Sequence, residues 1–251
     1  MEMAIDSGIA LRVAAGVSLV FLAGQRPSHE ALRHALANCQ RQAALAADQD
    51  QLASSELVTC GLMFEIDGLA PHTGAPMNAP QDQYGFGHAI EWEKCEAIRL
   101  YPGHHVSGGV RLQPVVHTLL ALAAELAVGL PVQAVHWHPA DTAIEPHAFS
   151  RSVLAWLAGG TFPALGLTVL STMADGSVVS RGLSHFAGQE FTLLRAPEAE
   201  RMKMAGFVAD QIVRSGPLDR YIQWQFNGLT LNAEPAAEAR RVLVWPSELN
   251  A

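Results

Sequence analysis

Apolar runs separated by polar residues predict alternating strands and helices in the first half of the chain. The run Val17–Leu22 is continuously apolar except for one serine, which is typical of a strand buried on both faces. Ser28 is a suitable N-cap for a helix over 28–39, where apolar residues recur at helical spacing. Further strands are predicted over 57–66 and 97–101.

The second half continues this alternation. Pro114 fits the first turn of a helix to about residue 128, and apolar positions nearly encircle that helix, so it must pack on more than one side. A strand is predicted over 132–138, and Pro146 begins the next helix. The dipeptides Asp175-Gly176 and Asn227-Gly228 predict hairpin turns between later strands.

The order of these elements predicts an α+β fold with mixed, largely antiparallel sheets and packed helices, because adjacent strands often lack an intervening helix. The first half is ferredoxin-like in element order. Residues 1–14 are predicted as a loose N-terminal segment and 15–251 as a single α+β domain. The alternative is two closely packed halves, 15–139 and 140–251. The Pro- and Gly-rich stretch 67–87 predicts a long loop.

Composition narrows the class of protein. The 251 residues are 49% hydrophobic and only 16% charged, which allows a large core. The net charge of −8 repels phosphate backbones and anionic membranes, so no nucleic acid and no membrane partner is expected. Three cysteines without a CxxC pair indicate free thiols and a cytoplasmic location.

Two histidines form the sharpest chemical candidate. His136 and His138 are two residues apart on a predicted strand, so their side chains leave the same face and could bind one metal ion. The third ligand is unknown, with Asp141 and Glu145 as candidates on the loop that follows. The alternative is that backbone carbonyls satisfy both imidazoles and no metal is bound.

The stretch 181–191 is punctuated by glycines between a predicted strand and a predicted helix. Gly182 and Gly188 would let backbone N–H groups approach an anionic ligand. The alternative is a bulge or turn that needs positive φ. No serine there lies in a GxSxG elbow, and no nucleotide-binding glycine motif occurs, so no catalytic and no cofactor-binding residue is assigned.

The same stretch carries a family resemblance. Gly182-Leu183-Ser184-His185-Phe186 with Glu190, together with Ala134-Val135-His136-Trp137 and the helix from Pro146, resembles the uncharacterised bacterial family called domain of unknown function four-two-six-one. The resemblance implies a bacterial origin and a fold, and it carries no catalytic residue. The chain departs from the family pattern, as a divergent member would, near Arg181, Ala187 and Thr192.

Function is predicted from the lack of a complete catalytic or cofactor motif. We expect an uncharacterised cytoplasmic bacterial protein that acts as a non-enzymatic protein-interaction or accessory, immunity-type module. Its partner would be another protein, and no cofactor is expected. The sequence is also compatible with a homo-oligomer. The alternative is a metal-dependent, hydrolase-like enzyme that uses a divalent metal at His136 and His138.

Overall fold

The computed structural model of the protein describes residues 2–46, 54–236 and 240–247, in two compact units, Met1–Gly160 and Thr161–Ala251. The boundary between the units follows Gly160. The alternative division predicted from the sequence placed it after residue 139. The reason for the difference is that the strand and helix immediately after residue 139 pair and pack within the first unit.

The first unit combines one sheet with four α-helices among its described residues. Its elements are α1 (Glu2–Ala14), β1 (Val17–Leu22), α2 (His29–Ala37), β2 (Ala43–Leu45), β3 (Ser54–Thr59), β4 (Leu62–Asp67), β5 (Asp82–Tyr84), β6 (Cys95–Pro102), α3 (Gln113–Gly129), β7 (Ala134–Trp137), β8 (Thr142–Ile144) and α4 (Pro146–Leu157). The strand order is β2-β3-β4-β6-β1-β7-β8-β5, and only the β5–β8 pair is parallel within the described part.

Strand β1 lies in the middle of this sheet, between β6 and β7. One of its faces carries Val17, Leu19 and Phe21, which are fully buried, and α3 packs against β1 and β6. The other face carries Ser18, which is also buried. Burial on both faces explains the continuous apolar run in the sequence.

Helix α3 supplies much of the first unit's core. Pro114 lies in its first turn, and the helix packs against α4, β6 and β1. Ten of its residues are buried, which confirms that a helix with apolar residues all round must be covered on more than one side.

The predicted single strand over 57–66 is a hairpin. Its two strands, β3 and β4, are joined at Cys60-Gly61, whose φ angles are 50° and 73°. Glycine adopts such angles easily and cysteine seldom does, so only Gly61 indicated a turn in the sequence. The predicted loop over 67–87 likewise contains a short strand, β5, which pairs with β8.

The N-terminal segment is helical, whereas the sequence predicted a loose segment over residues 1–14. Helix α1 shows little amphipathic periodicity, which is why the pattern did not reveal it. Long-range polar contacts hold its end: buried Arg12 pairs with Glu65 on β4 and donates to the carbonyl of Pro102.

The second unit has its own sheet. Its elements are α5 (Ala164–Leu167), β9 (Val169–Thr172), β10 (Val178–Arg181), α6 (Ser184–Ala187), β11 (Glu190–Leu193), α7 (Arg201–Ser215), β12 (Ile222–Phe226), β13 (Leu229–Pro235) and β14 (Arg241–Pro246). Their order is β12-β13-β14-β11-β10-β9, and the β11–β14 pair is parallel while its neighbours are antiparallel. Helix α7 packs on one face, where the rings of Phe207 and Phe226 lie 5.2 Å apart.

The protein therefore belongs to the α+β class, with two mixed and mostly antiparallel sheets packed with helices, as the sequence predicted. The ferredoxin-like arrangement of the first half stays a prediction. Across the ranges described, none of the helices combines the length and the apolar character that a bilayer crossing requires.

Replacing Leu119 or Leu122 by Ala should lower the free energy of unfolding by about 2–5 kcal/mol, because both side chains are at most 1% exposed and truncation leaves a cavity. Chemical denaturation measures the change. Val128→Ala is the control in the same helix, since Val128 is 46% exposed and should lose less. A loss below roughly 1 kcal/mol at both leucines would contradict this packing.

Candidate functional site

The two candidate histidines lie side by side, although only one belongs to a strand. His136 is in β7, and His138 begins a short 3-10 helix over His138–Ala140. Their ring centroids are 4.8 Å apart, with the rings edge to face. The fold therefore brings together the two imidazoles that the sequence singled out.

Both ring nitrogens of His138 are occupied by hydrogen bonds. Nδ1 lies 2.7 Å from the carbonyl oxygen of Val13 at the end of α1, so this nitrogen must carry the proton and donate. Nε2 then accepts from the hydroxyl of Ser18 at 2.8 Å. A metal ion could reach Nε2 only by displacing Ser18.

The ring of His136 contacts one of the two proposed third ligands. Its Nε2 lies 3.0 Å from Oδ1 of Asp141, a residue at φ 51° in the turn after the 3-10 helix. The other candidate, Glu145, is used elsewhere: its carboxylate caps α4 by accepting from the backbone N–H groups of His147 and Ala148.

The histidines extend a row of polar side chains across four adjacent strands. In the sheet register, Asp67 on β4 is opposite Arg99 on β6, Arg99 is opposite Ser18 on β1, and Ser18 is opposite His136 on β7. Arg99 holds Asp67 with two parallel bonds, Nε–Oδ1 at 3.1 Å and Nη2–Oδ2 at 2.7 Å. We call these residues, with His138 and Asp141, the polar row.

Sequence reasoning missed Asp67, Arg99 and Ser18. The available signal was a single hydroxyl or charged residue inside an otherwise apolar stretch, Ser18 in β1 and Arg99 between Ile98 and Leu100 in β6. Such residues on a buried strand need a partner, because an unsatisfied buried polar group costs about 1–3 kcal/mol. Their partners are distant in the chain, so only the sheet register reveals them.

Burial controls the electrostatics of the polar row. Burial, and secondarily the neighbouring His136, lowers the pKa of His138 to about 4. Burial also lowers the pKa of His136, against the opposing effect of the Asp141 carboxylate. The hydrogen bond to Asp67 raises the pKa of Arg99. Near neutral pH, the imidazole of His138 is therefore neutral and the guanidinium of Arg99 is charged.

The contact between Ser18 and His138 has the connectivity of a nucleophile and its base. Two features reduce its catalytic value. Ser18 is 2% exposed within a central strand, and an imidazole with a pKa near 4 is a weak base at neutral pH. The contact instead links β1, the 3-10 helix and the end of α1.

A metal at His136 and His138 stays a prediction. Over the described stretches of the chain, no group of three or more His, Cys, Asp or Glu side chains is arranged to hold a metal ion. Because both nitrogens of His138 are engaged, a metal ion held by both imidazoles requires at least one hydrogen bond of His138 to break.

The glycine-punctuated stretch of the second unit binds an anion that the chain itself supplies. Oε1 of Glu190 accepts from the backbone N–H groups of Gly182 at 3.0 Å and Ser184 at 2.9 Å. Oε2 accepts from the N–H of Leu183 at 3.3 Å and from the hydroxyl of Ser180 at 2.6 Å. We call this arrangement the Glu190 nest.

The nest explains why the stretch needs glycine. Gly182 has φ 89° and turns the chain from β10 so that consecutive N–H groups converge on one carboxylate. Gly188, at φ 73°, caps α6 and returns the chain towards β11. The turn interpretation of these glycines is confirmed, and Glu190 fills the position that an anionic ligand would take.

Comparison with known proteins adds no relationship: no family model matches the chain, and neither a curated protein nor a solved structure does. Membership of the bacterial family named above stays a prediction.

Acid should destabilise the protein through His138. Its pKa is about 4 when folded and about 6.5 when unfolded, so the unfolded chain binds a proton that the folded chain excludes between these values. This contribution is present above pH 6.5 and is lost as the pH falls towards 4, with about 2 kcal/mol gone by pH 5. Denaturation of the wild type and of His138→Gln at pH 7.5 and 5 measures it.

His105→Gln is the matched control for this pH dependence, because His105 is exposed. The His138 variant should lose about 2 kcal/mol of the difference between the two pH values, whereas the control should keep it. Equal pH dependence in the wild type and in His138→Gln would contradict the assignment.

Removing the carboxylate of the nest should destabilise the second unit. Glu190→Ala leaves the N–H groups of 182–184 without their acceptor, and we expect a loss of about 2–4 kcal/mol together with faster hydrogen exchange at these amides. Glu234→Ala is the control, because Glu234 is exposed on the same sheet. Unchanged exchange at 182–184 in Glu190→Ala would contradict this role.

Proposed function

We propose that the protein is a non-enzymatic interaction module of a bacterial cytoplasm, of the accessory or immunity type, which binds a partner protein through one face of the second unit's sheet. The observation that carries this proposal is a sheet face with an ordered network of hydrogen-bonding and aromatic side chains, in which Tyr221, Gln223 and Gln225 are exposed and surround the buried Asn232. We call it the polar sheet face. It is formed by Tyr221, Gln223, Gln225, Thr230, Asn232, Glu234, Arg241, Leu243, Trp245 and Thr192.

Strand alternation separates this face from the core. Ile222, Trp224 and Phe226 point to the side of α7, where Phe226 contacts Phe207. Gln223 and Gln225 point to the opposite side and are exposed.

The side chains of the polar sheet face hold one another in place. Tyr221 donates its hydroxyl proton to the amide oxygen of Asn232, and the amide of Gln223 donates to both of these residues. Nδ2 of Asn232 reaches Oγ of Ser247 at 3.0 Å. Side chains fixed before binding lose little conformational entropy in a complex, which favours recognition.

The composition of the face favours a protein as the partner. Tyr, Trp and Arg are the residues most enriched at interaction hot spots. Tyr221 is 49% exposed, and Trp245 is half-buried. Both rings can contribute apolar contact while polar groups surround them.

Charge further defines the partner. Arg241 lies on this face, where Thr192 accepts one of the guanidinium's five N–H donors at 3.0 Å. Of the carboxylates on this side of the sheet, Glu190 is engaged in its nest, whereas Glu234, opposite Leu243, is exposed. A positive group on a protein of net charge −8 is suited to a carboxylate of the partner, in a bidentate pair.

Two features of the polar row support a non-enzymatic role. Its polar groups are engaged with each other, Arg99 with Asp67 in an ion pair and His136 with Asp141 in a hydrogen bond, and its serine is buried. The described cysteines, Cys39, Cys60 and Cys95, are free thiols, which agrees with a reducing compartment.

Affinity purification from the cytoplasm of the host bacterium, followed by calorimetry with the purified partner, tests the proposal. Tyr221→Ala and Arg241→Glu should each weaken the affinity about 30-fold, which corresponds to about 2 kcal/mol at a hot spot. Because an ion pair contributes, raising the salt concentration should weaken wild-type binding.

Lys203→Glu is the matched control, since it makes the same charge change on α7 at a side chain that is 73% exposed. The control should bind like the wild type. The proposal fails if no protein is enriched over a mock purification, or if the partner binds Tyr221→Ala and Arg241→Glu as tightly as the wild type.

A further inference from the structure

Strand β12 lies at an edge of the second unit's sheet, as far as the described residues extend. Edge strands of monomeric proteins are usually protected by charged residues, proline or bulges. Residues 221–228 contain no charged residue and no proline, and β12 pairs with β13 without a bulge. This edge is therefore an uninterrupted template for another strand.

The turn between β12 and β13 determines which backbone groups face the edge. Asn227 and Gly228 have φ 48° and 83°, the signature of a type I′ two-residue turn. The residues that flank such a turn exchange hydrogen bonds, and the pattern then alternates along the strand. The N–H and C=O groups of Gln223 and Gln225 are therefore directed away from β13, towards the edge.

A bond on the far side of β13 agrees with this alternation. Thr230 is opposite Gln225 in the register, and its carbonyl accepts from the N–H of Ser247 at 2.7 Å, on the β14 side. Because Thr230 directs its backbone groups towards β14, Gln225 cannot be bonded to it and directs its own groups outwards.

We propose that β12 pairs antiparallel with β12 of a second copy of this chain, about a twofold axis at Trp224. In this register, Gln223 of each copy lies opposite Gln225 of the other, so the outward N–H and C=O groups of both residues meet and form backbone hydrogen bonds. The two sheets continue into one sheet across the axis, and the same surface is used by both copies.

The side chains of β12 are self-complementary in this register. On the side of α7, the two Trp224 rings become neighbours, and Ile222 lies opposite Phe226 of the second copy. All three side chains are only half-buried in one copy, so pairing removes apolar surface from water. On the polar sheet face, glutamine lies opposite glutamine, so no like charges meet.

The contact area of two short strands is small, so the dimer is weak and depends on concentration. The pairing goes beyond the proposed function, because it uses the backbone edge of β12 and leaves Tyr221 and Arg241 on the polar sheet face accessible. Arg241→Glu, which should weaken partner binding about 30-fold, should leave the dimer unchanged.

Sedimentation velocity of the full chain up to roughly 1 mM tests the pairing. The wild type should shift from monomer to dimer as concentration rises. Gln223→Lys with Gln225→Lys places lysine opposite lysine across the axis and should leave only monomer. Gln223→Lys with Gln225→Glu places lysine opposite glutamate and should restore the dimer.

Ser171→Lys with Met173→Lys is the control, because it adds the same charge at exposed positions of the β9 edge and should leave the dimer unchanged. Circular dichroism verifies that each variant is folded. The inference is overturned by a wild type that stays monomeric throughout, by a dimer that persists in the double lysine variant, or by a lysine–glutamate variant that remains monomeric.

Discussion

The hydroxyl group of Ser18, buried in the central strand of the first unit, imposes the main constraint on that unit's polar contacts. A hydroxyl in this position needs a hydrogen-bond partner, and His138 provides it. The other ring nitrogen, Nδ1, faces the carbonyl of Val13 at the end of α1, and because a carbonyl oxygen can only accept, Nδ1 carries the proton and Nε2 accepts from Ser18. The Val13 carbonyl thus sets the tautomer of His138, and the ring links the central strand to the end of α1.

The same physical rule operates in the second unit through a carboxylate. Glu190 satisfies consecutive N–H groups of the turn after β10, and its other oxygen also binds the hydroxyl of Ser180. In both units, the residues with the most reactive chemistry are therefore engaged in holding the backbone.

Local sequence signals were sufficient for most elements and for the α+β class. Asn227-Gly228 specifies its turn, and the apolar residues on all sides of α3 predict its burial. Both signals come from residues that are close together in the chain. Helix α1 was missed since contacts of Arg12 with distant residues hold it. The turn at Cys60 was missed since cysteine rarely adopts positive φ.

The polar row shows where sequence reasoning ends. The pair His136 and His138 was visible because the two residues are close in sequence, whereas Asp67, Arg99 and Ser18 join them only through the register of four strands. The hydrogen bonds of His138 also depend on the position of α1, which the sequence did not predict. A pattern could thus suggest which imidazoles meet, but not what they bind.

The Glu190 nest has a consequence for the second unit's response to its surroundings. A carboxylate attached to the same chain, a few residues from the amides that it binds, competes as an intramolecular ligand at high effective concentration. Phosphate, sulfate or nucleotides at cellular levels must displace it before they reach those amides. Free anions therefore compete poorly for these amides. The conformation of the turn depends on a carboxylate of the same chain and not on the concentration of anions in solution.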